Sequence, residues 1–293
     1  MFEKVIIATD LSSAAFAVLK DIENLKAFGT KKILLVQCLD QRESDAIAIT
    51  YATSALDKNL QEQKRVLEAK GYEVEVRVVP GLAKTEVKRI AEEEDYSLIL
   101  AGGETRTLLS EPLMGGIAYE IIHFCTKPFL LVRLEGTKKD GAVYYAPVRS
   151  SYNLHVLFPT DFSAASYDAF EVLKEMTAAG VRQITLMHVQ DQSRIDPYLL
   201  AQLSEFNSKD EARLDAMKKT LQDINGDTEV DTVLFYGSPT RYILDAIEDR
   251  GVQLVVMGSQ GRGFIRDVFL GSVSHNIARQ AKASVLLIPA GRE

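Results

Sequence analysis

Cysteine is scarce in this sequence. Cys38 and Cys125 are the only two in 293 residues, and they form no C-x-x-C pair. That excludes a disulfide framework, and each thiol reads as a small buried hydrophobe. Histidine is almost as sparse. His123, His155, His188 and His275 lie far apart, with no metal-ligand spacing. No apolar run approaches the ~20 residues of a membrane span. The N-terminal MFEKVIIATDLSS goes straight into a strand pattern, without the apolar region and cleavage site of a signal peptide. A cytoplasmic chain that meets no membrane is the expectation. Positive charge is also short: 34 Lys and Arg stand against 41 Asp and Glu, a net charge of −7. An acidic balance argues against nonspecific nucleic-acid binding, which needs a basic footprint. It does not exclude a small anion held by local donors. The signatures of common enzymes are missing too. There is no H-E-x-x-H, no G-x-S-x-G and no G-x4-G-K-[ST], and no paired carboxylates or base-activated nucleophile emerge.

What is present is a repeat. KVIIATDLSSAAFAVLK from Lys4 matches HVLFPTDFSAASYDAFEVLK from His155, so that Asp10 falls on Asp161 and Ser12 on Ser163. KKILLVQCLD from Lys31 matches RQITLMHVQD from Arg182, and the stretch from Val78 matches that from Leu234. The offset is 151 early and 156 late, and the extra length is expected in the long middle helix of the second copy. Such a period is too long for a solenoid and indicates a duplicated domain. The composition, 46% hydrophobic, supplies a core for each copy.

Each copy reads as β-α-β-α-β-α-β-α-β. In the second, strands are expected at residues 154–159, 183–189, 229–235, 253–257 and 284–288. They are short, rich in Val, Ile and Leu, and show little polar alternation, as strands buried on both faces of a parallel sheet do. Helical stripes run through Phe170, Leu173, Met176 and Thr177, and through Ile243, Ala246, Ile247 and Arg250. The expected fold is α/β: two tandem, doubly wound, five-stranded parallel sheets of Rossmann-like type. Residues 1–134 form the first domain, 135–152 a Gly-, Pro-, Lys- and Ser-bearing linker, and 153–293 the second domain. Gly237-Ser238-Pro239-Thr240 starts a helix with Pro near its first position.

The candidate site follows the fourth strand of the second copy. Met257, Gly258, Ser259, Gly261, Arg262 and Gly263 leave the strand, and Gly271, Ser272, Val273 and Ser274 open a helix with Val273, Ile277, Ala278 and Ala281 on its apolar stripe. Glycines permit turns with φ > 0 and close approach of backbone N–H groups to a phosphate. A helix N-terminus adds unpaired N–H groups, Ser272 and Ser274 add hydroxyls, and Arg262 or Arg266 a cation. The helix dipole contributes only about 0.3–1 kcal/mol, whereas micromolar binding needs about 8 kcal/mol. Further anchors are therefore required. Pro159, Thr160 and Asp161 end the first strand, and His188 and Val189 lie near the end of the second. If the first and fourth strands are neighbours, these segments converge at the carboxyl edge of the sheet. Asp161 suits a ribose hydroxyl or an adenine amino group, because a carboxylate accepts from both but repels phosphate. His188 and Val189 would offer backbone groups to a base edge.

Each residue also has a plainer role. Asp161 and Asp10 fit a turn or cap before a helix, the glycines a β-α turn, Ser272 and Ser274 a helix cap, and His188 a strand end. At Gly258-x2-Gly261-x9-Gly271-Ser272 the chain resembles the universal stress protein family, whose nucleotide-binding branch carries G-x2-G-x9-G-[ST]. The family's Asp after the first strand is matched by Asp161, and its His–Val pair by His188 and Val189. The resemblance covers both copies. It implies adenine-nucleotide binding, ATP or AMP, with Mg2+ or Mn2+ on the phosphates. It also implies pairing between domains within the chain and a homodimer. A slow ATP-hydrolysing enzyme and a nucleotide-free interaction module are the rival readings.

The first copy departs from the pattern. Gly102 matches Gly258 and Gly115 matches Gly271, but Thr105 replaces Gly261, Gly116 replaces Ser272, and Gln37–Cys38 replaces His–Val. A β-branched residue forced to φ > 0 costs roughly 1–3 kcal/mol, and Glu104 and Glu111 repel phosphate. The first copy is expected to bind nucleotide weakly or not at all.

Overall fold

The computed structural model describes residues 1–9, 12–20, 22–39, 46–104, 116–140, 142–149, 154–191, 203–261 and 270–291, with backbone alone at 13, 20, 23, 24, 46–55 and 203–206. The chain divides into two compact units, Met1–Val148 and Arg149–Glu293. Among the described residues no helix is long and apolar enough to cross a membrane.

The first unit runs β1 (Lys4–Ala8), α1 (Ser13–Lys20), a 3-10 helix (Ile22–Phe28), β2 (Lys32–Leu39), α2 (Ala46–Ala69), β3 (Glu73–Pro80), α3 (Ala83–Glu93), β4 (Leu98–Glu104), α4 (Gly116–Ile122), β5 (Phe129–Lys139) and β6 (Ala142–Pro147). Its parallel strands lie in the order β3-β2-β1-β4-β5. The second unit runs β7 (His155–Thr160), α5 (Ala164–Ala178), β8 (Gln183–Asp191), α6 (Leu203–Ile224), β9 (Glu229–Gly237), α7 (Pro239–Asp249), β10 (Leu254–Gly258), α8 (Ser272–Gln280) and β11 (Ser284–Ile288). Its order is β9-β8-β7-β10-β11, again parallel throughout. Both sheets are doubly wound, with the chain order reversing beside the first strand of each unit.

The local causes are visible in the second unit. Every residue of β7, β10 and β11 is buried, as the unbroken apolar runs require. Ser163 caps α5 by accepting from the Ser166 amide, and Ala169, Phe170, Leu173, Met176 and Thr177 form its buried face. Pro239 occupies the first turn of α7, where its missing N–H costs nothing. Ile243, Ala246 and Ile247 are buried there, but Arg250 is not on the stripe. The helix ends at Asp249, and the exposed Arg250 side chain turns to Asp231 at 2.7 Å.

Two expectations are corrected. Residues 135–147 are not an irregular linker: β5 continues through them to Lys139, and β6 folds back antiparallel, pairing Leu134 with Pro147 and Lys139 with Ala142. Turn residues at the hairpin tip gave the whole segment a linker-like composition, and the first sheet has a sixth strand. The described part of the middle helix has 22 residues in α6 against 24 in α2, and residues 192–202, which precede α6, lie outside the described residues. Of the two cysteines only Cys125 is buried; Cys38 is half-buried.

Candidate functional site

In the second unit β7 pairs with β8 on one side and β10 on the other, so the ends of β7 and β10 open onto the switch point of the sheet. The condition set by the sequence reading, that the first and fourth strands be neighbours, is met. Pro159 and Thr160 finish β7 opposite Met187 and His188. Thr160 is buried, and its hydroxyl shares a 2.7 Å hydrogen bond with Ser166 while accepting from the Phe162 amide at 3.0 Å. Asp161 is half-buried. Its Oδ1 accepts from the Ser163 amide at 3.0 Å, and its Oδ2 faces Gly261, where an added Cβ would lie 2.8 Å away. One oxygen of Asp161 thus holds the turn, and the other faces Gly261.

The three described glycines of the loop do different things. Gly258 packs on α5: a Cβ there would lie 2.8 Å from the Ala165 carbonyl carbon and 3.0 Å from its Cβ. Gly261 makes room for the Asp161 carboxylate. Gly271 is the N-cap of α8 with φ −69° and ψ 158°, and a Cβ there would meet no described residue closer than 3.5 Å. None of the three has positive φ, contrary to expectation. The need for glycine at 258 and 261 is one of close approach, not of left-handed backbone. The penalty expected for Thr105 through a left-handed conformation therefore loses its basis. Thr105, Asp10, Glu111 and Gly115 lie outside the described residues, as do Arg262, Gly263 and Arg266.

The expected ring of free amides is also reduced. The Ser259 amide donates to Ile288 O at 2.8 Å and the Gly271 amide to Ser259 O at 2.7 Å. These bonds hold the ends of the loop instead of meeting a ligand. The amides of Ser272, Val273 and Ser274 belong to the first turn of α8, where no intrahelical carbonyl is in reach. Ser274 is buried and its hydroxyl donates to Gly258 O at 2.9 Å, so it ties α8 to β10. Val273, expected on the apolar stripe, is only half-buried, because Ser274 takes the inward position with Ile277 and Ala278. Ser272 is exposed. The Ser259 hydroxyl is buried and, among the described residues, has no hydrogen-bond partner. Met257 is buried opposite Leu287 in β11.

At the other end of the crevice β8 outruns β7. His188 pairs with Thr160, whereas Val189, Gln190 and Asp191 continue along β9 alone in the ladder. Val189 therefore stands beyond the end of β7, as a backbone contact to a base would need. The His188 ring is committed to the chain: Nδ1 is 2.7 Å from Thr160 O, and Nε2 is 3.5 Å from Asp210 Oδ2. Sequence reasoning missed Phe162, Gln190, Asp210 and Arg213, which surround that ring. Phe162 adopts φ 57°, packs against His188 with ring centres 4.6 Å apart and planes tilted by 41°, and carries Arg213 5.1 Å from its ring centre. Asp210 and Arg213 show in the sequence only as an i, i+3 pair on a helix.

The first unit differs at each corresponding point. The Thr9 hydroxyl donates to Gln63 of α2 at 3.0 Å, and the turn that follows it lies outside the described residues. Gln37 is buried where the second unit has His188. β4 continues to Glu104, which pairs with Leu134, while β10 ends at Gly258. Arg133 lies buried against this end, its guanidinium 3.4 Å from Glu104 O, and burial pulls its pKa down to about 10. Among the described residues no three His, Cys, Asp or Glu side chains converge as a metal site in either unit.

Comparison with known proteins agrees with this architecture. Residues 1–133 and 153–289 match the model of the Universal stress protein family. A universal stress protein of Methanocaldococcus jannaschii is 26% identical over 155 residues, covering 45% of this chain and 96% of that protein. One from Mycolicibacterium smegmatis is 26% identical over 234 residues, covering 78% of this chain and 74% of its own. The crystal structure of a universal stress protein from Archaeoglobus fulgidus superposes with a TM-score of 0.72 at 22% identity, covering 99% of this chain and all of that one. It shares the fold along the whole length, both repeats included.

Proposed function

This chain belongs to the universal stress protein family, and from that premise we propose that its second unit binds an adenine nucleotide, ATP or AMP, in a stress-related regulatory role. The observation that carries the reading is the Asp161 carboxylate facing Gly261 across the switch point, beside the first turn of α8. Asp161 Oδ2 would accept from a ribose hydroxyl. The Ser272, Val273 and Ser274 amides and the Ser259 hydroxyl would donate to phosphate, with Arg262 and the Gly263 amide completing the loop. The backbone of Val189 would meet the base, with Pro159, Thr160, His188 and Met257 as the floor. Two features favour a ligand at this place. Among the described residues nothing requires glycine at 271 on steric grounds, and the buried Ser259 hydroxyl has no partner among them. A Mg2+ or Mn2+ ion would ride on the phosphates.

The first unit, residues 1–134 of the sequence reading, would not bind nucleotide, since Thr105 replaces the glycine that leaves room for the carboxylate. Assembly into a homodimer and residence in the cytoplasm belong to the same reading. Equilibrium dialysis against ATP and against AMP tests it. One nucleotide per chain, recovered intact after incubation with Mg2+ or Mn2+, is the expected result. Two equal sites would remove the distinction between the units, hydrolysis would favour the enzymatic reading, and no binding would leave an interaction module.

A further inference from the structure

We propose that His188 and Asp210 form a charged positioning pair that fixes the turn from Thr160 to Ser163, so that the nucleotide site loosens when the imidazole loses its second proton. The effect on nucleotide rests on the function proposed above; the state of the turn does not.

The argument starts from what each ring nitrogen meets. Thr160 O can only accept, and Nδ1 lies 2.7 Å from it, so Nδ1 carries a hydrogen. Nε2 faces Asp210 Oδ2 at 3.5 Å. A neutral ring protonated at Nδ1 would point a lone pair at a carboxylate. The two side chains are only 6% and 13% exposed, so water does little to screen that contact. The doubly protonated ring satisfies both acceptors. Asp210 is held in place by Gln190 Nε2 at 3.0 Å and by Arg213 at 3.3 Å, and cannot turn away without breaking those contacts.

The ring is coupled to the turn at more than one point. It bonds the carbonyl of Thr160, and the tilted ring of Phe162 packs against it at 4.6 Å while Phe162 occupies a left-handed conformation that a bulky residue rarely adopts. The next residue, Ser163, holds Asp161 Oδ1, which leaves Oδ2 aimed at Gly261. Among the described residues the charged groups that meet the ring or the phenyl beside it are Asp210 and Arg213 from α6, with Asp161 in the adjoining turn. β9 brings Leu234 at this register, β7 brings Thr160, and α5 reaches Thr160 through Ser166, all uncharged. Loss of the Nε2 proton sets lone pair against carboxylate, and relief requires the ring or Asp210 to move, taking Phe162 with it. Affinity is therefore highest on the acid side of the ring's titration and falls as pH rises through it. The first repeat has Gln37 at the matching place, a donor that does not titrate.

The test uses the full chain. The 15N shifts of the His188 ring and the amide shifts of Phe162 and Ser163 are followed from about pH 5.5 to 9, the window in which histidine titrates, without nucleotide. AMP affinity is measured by calorimetry over the same range in wild type, Asp210→Asn and His188→Gln. The expected result is a doubly protonated ring on the acid side and amide shifts that share its midpoint. AMP affinity should fall about fivefold across the step, the lower end of coupling between sites. Asp210→Asn should move the midpoint down by about one pH unit or more. His188→Gln should show only the titration of AMP itself. A ring neutral throughout, or amides that ignore it, would overturn the proposal. A titrating ring with an AMP affinity that parallels the His188→Gln profile would overturn its regulatory half. Absence of AMP binding at every pH would instead remove the nucleotide reading, while the ring and amide shifts still decide the state of the turn.

Discussion

Asp161 Oδ2 lies 2.8 Å from the place a Cβ would take at Gly261, although three strands of the sequence, β8 to β10, separate the two residues, which belong to opposite lips of the crevice. One oxygen of the same carboxylate holds the turn, through the Ser163 amide, and the other is presented across the switch point. That division gives the site its shape and lets the two functions be separated by substitution.

Asp161→Asn keeps an oxygen for the Ser163 amide but removes the charge. Stability should change by less than about 0.5 kcal/mol, as at most surface positions, because the turn bond survives. Nucleotide affinity should fall about tenfold, in line with loss of a charge-assisted hydrogen bond of about 1.5 kcal/mol. Scanning and titration calorimetry on the same preparation check both.

Gly258 and Gly271 look alike in the motif but should respond in opposite ways to Ala. At 258 the methyl runs into backbone atoms of Ala165, and overpacking of this kind costs about 1–3 kcal/mol, visible as a lower midpoint in urea. At 271 the methyl meets only ordinary contacts and φ is already −69°, so the midpoint should hold. Nucleotide affinity should nevertheless drop at 271, because the added methyl projects where the chain leaves space. An unchanged affinity for Gly271→Ala would remove the phosphate from that face.

His155 provides a pH signature remote from the site. Burial is the chief cause that lowers its pKa below the ordinary 6.5, its ring lying against Arg250 O and Thr185 Oγ1. A folded-state pKa below the unfolded value means that the unfolded chain takes up the proton first as pH falls. The stability of the second unit is therefore intact above about pH 6.5 and declines below it. His155→Gln should flatten that limb of the curve in urea titrations between about pH 7 and 5. A parallel curve for the variant would show that carboxylates alone set the acid limb.

Much of this fold could be read from residues. The apolar runs of β7, β10 and β11 were legible because burial acts over a few neighbours, whereas the cap before α5 was expected at Asp161 and is made by Ser163. The hairpin of β5 and β6 was missed because its turn-forming residues carry the same composition as a linker, and only pairing in space tells them apart. At the site, the spacing of Gly258, Gly261 and Gly271 located the loop, but not the reason for each glycine. Left-handed backbone was the natural guess, whereas contacts with Ala165 and Asp161, some ninety to a hundred residues away in sequence, are what those positions answer to. Asp210 was invisible for a related reason: a helix surface carboxylate looks the same whether it meets water or His188.

The central claim is that the second unit takes an adenine nucleotide between Asp161 and the loop that contains Gly261. Titration calorimetry of ATP and AMP against wild type and Gly261→Val tests it most directly. Saturable binding at one site per chain, abolished by a side chain that fills the gap before Asp161 while the fold is retained, is the predicted result. No heat at millimolar nucleotide, or a valine variant that binds as well as the parent, would contradict it.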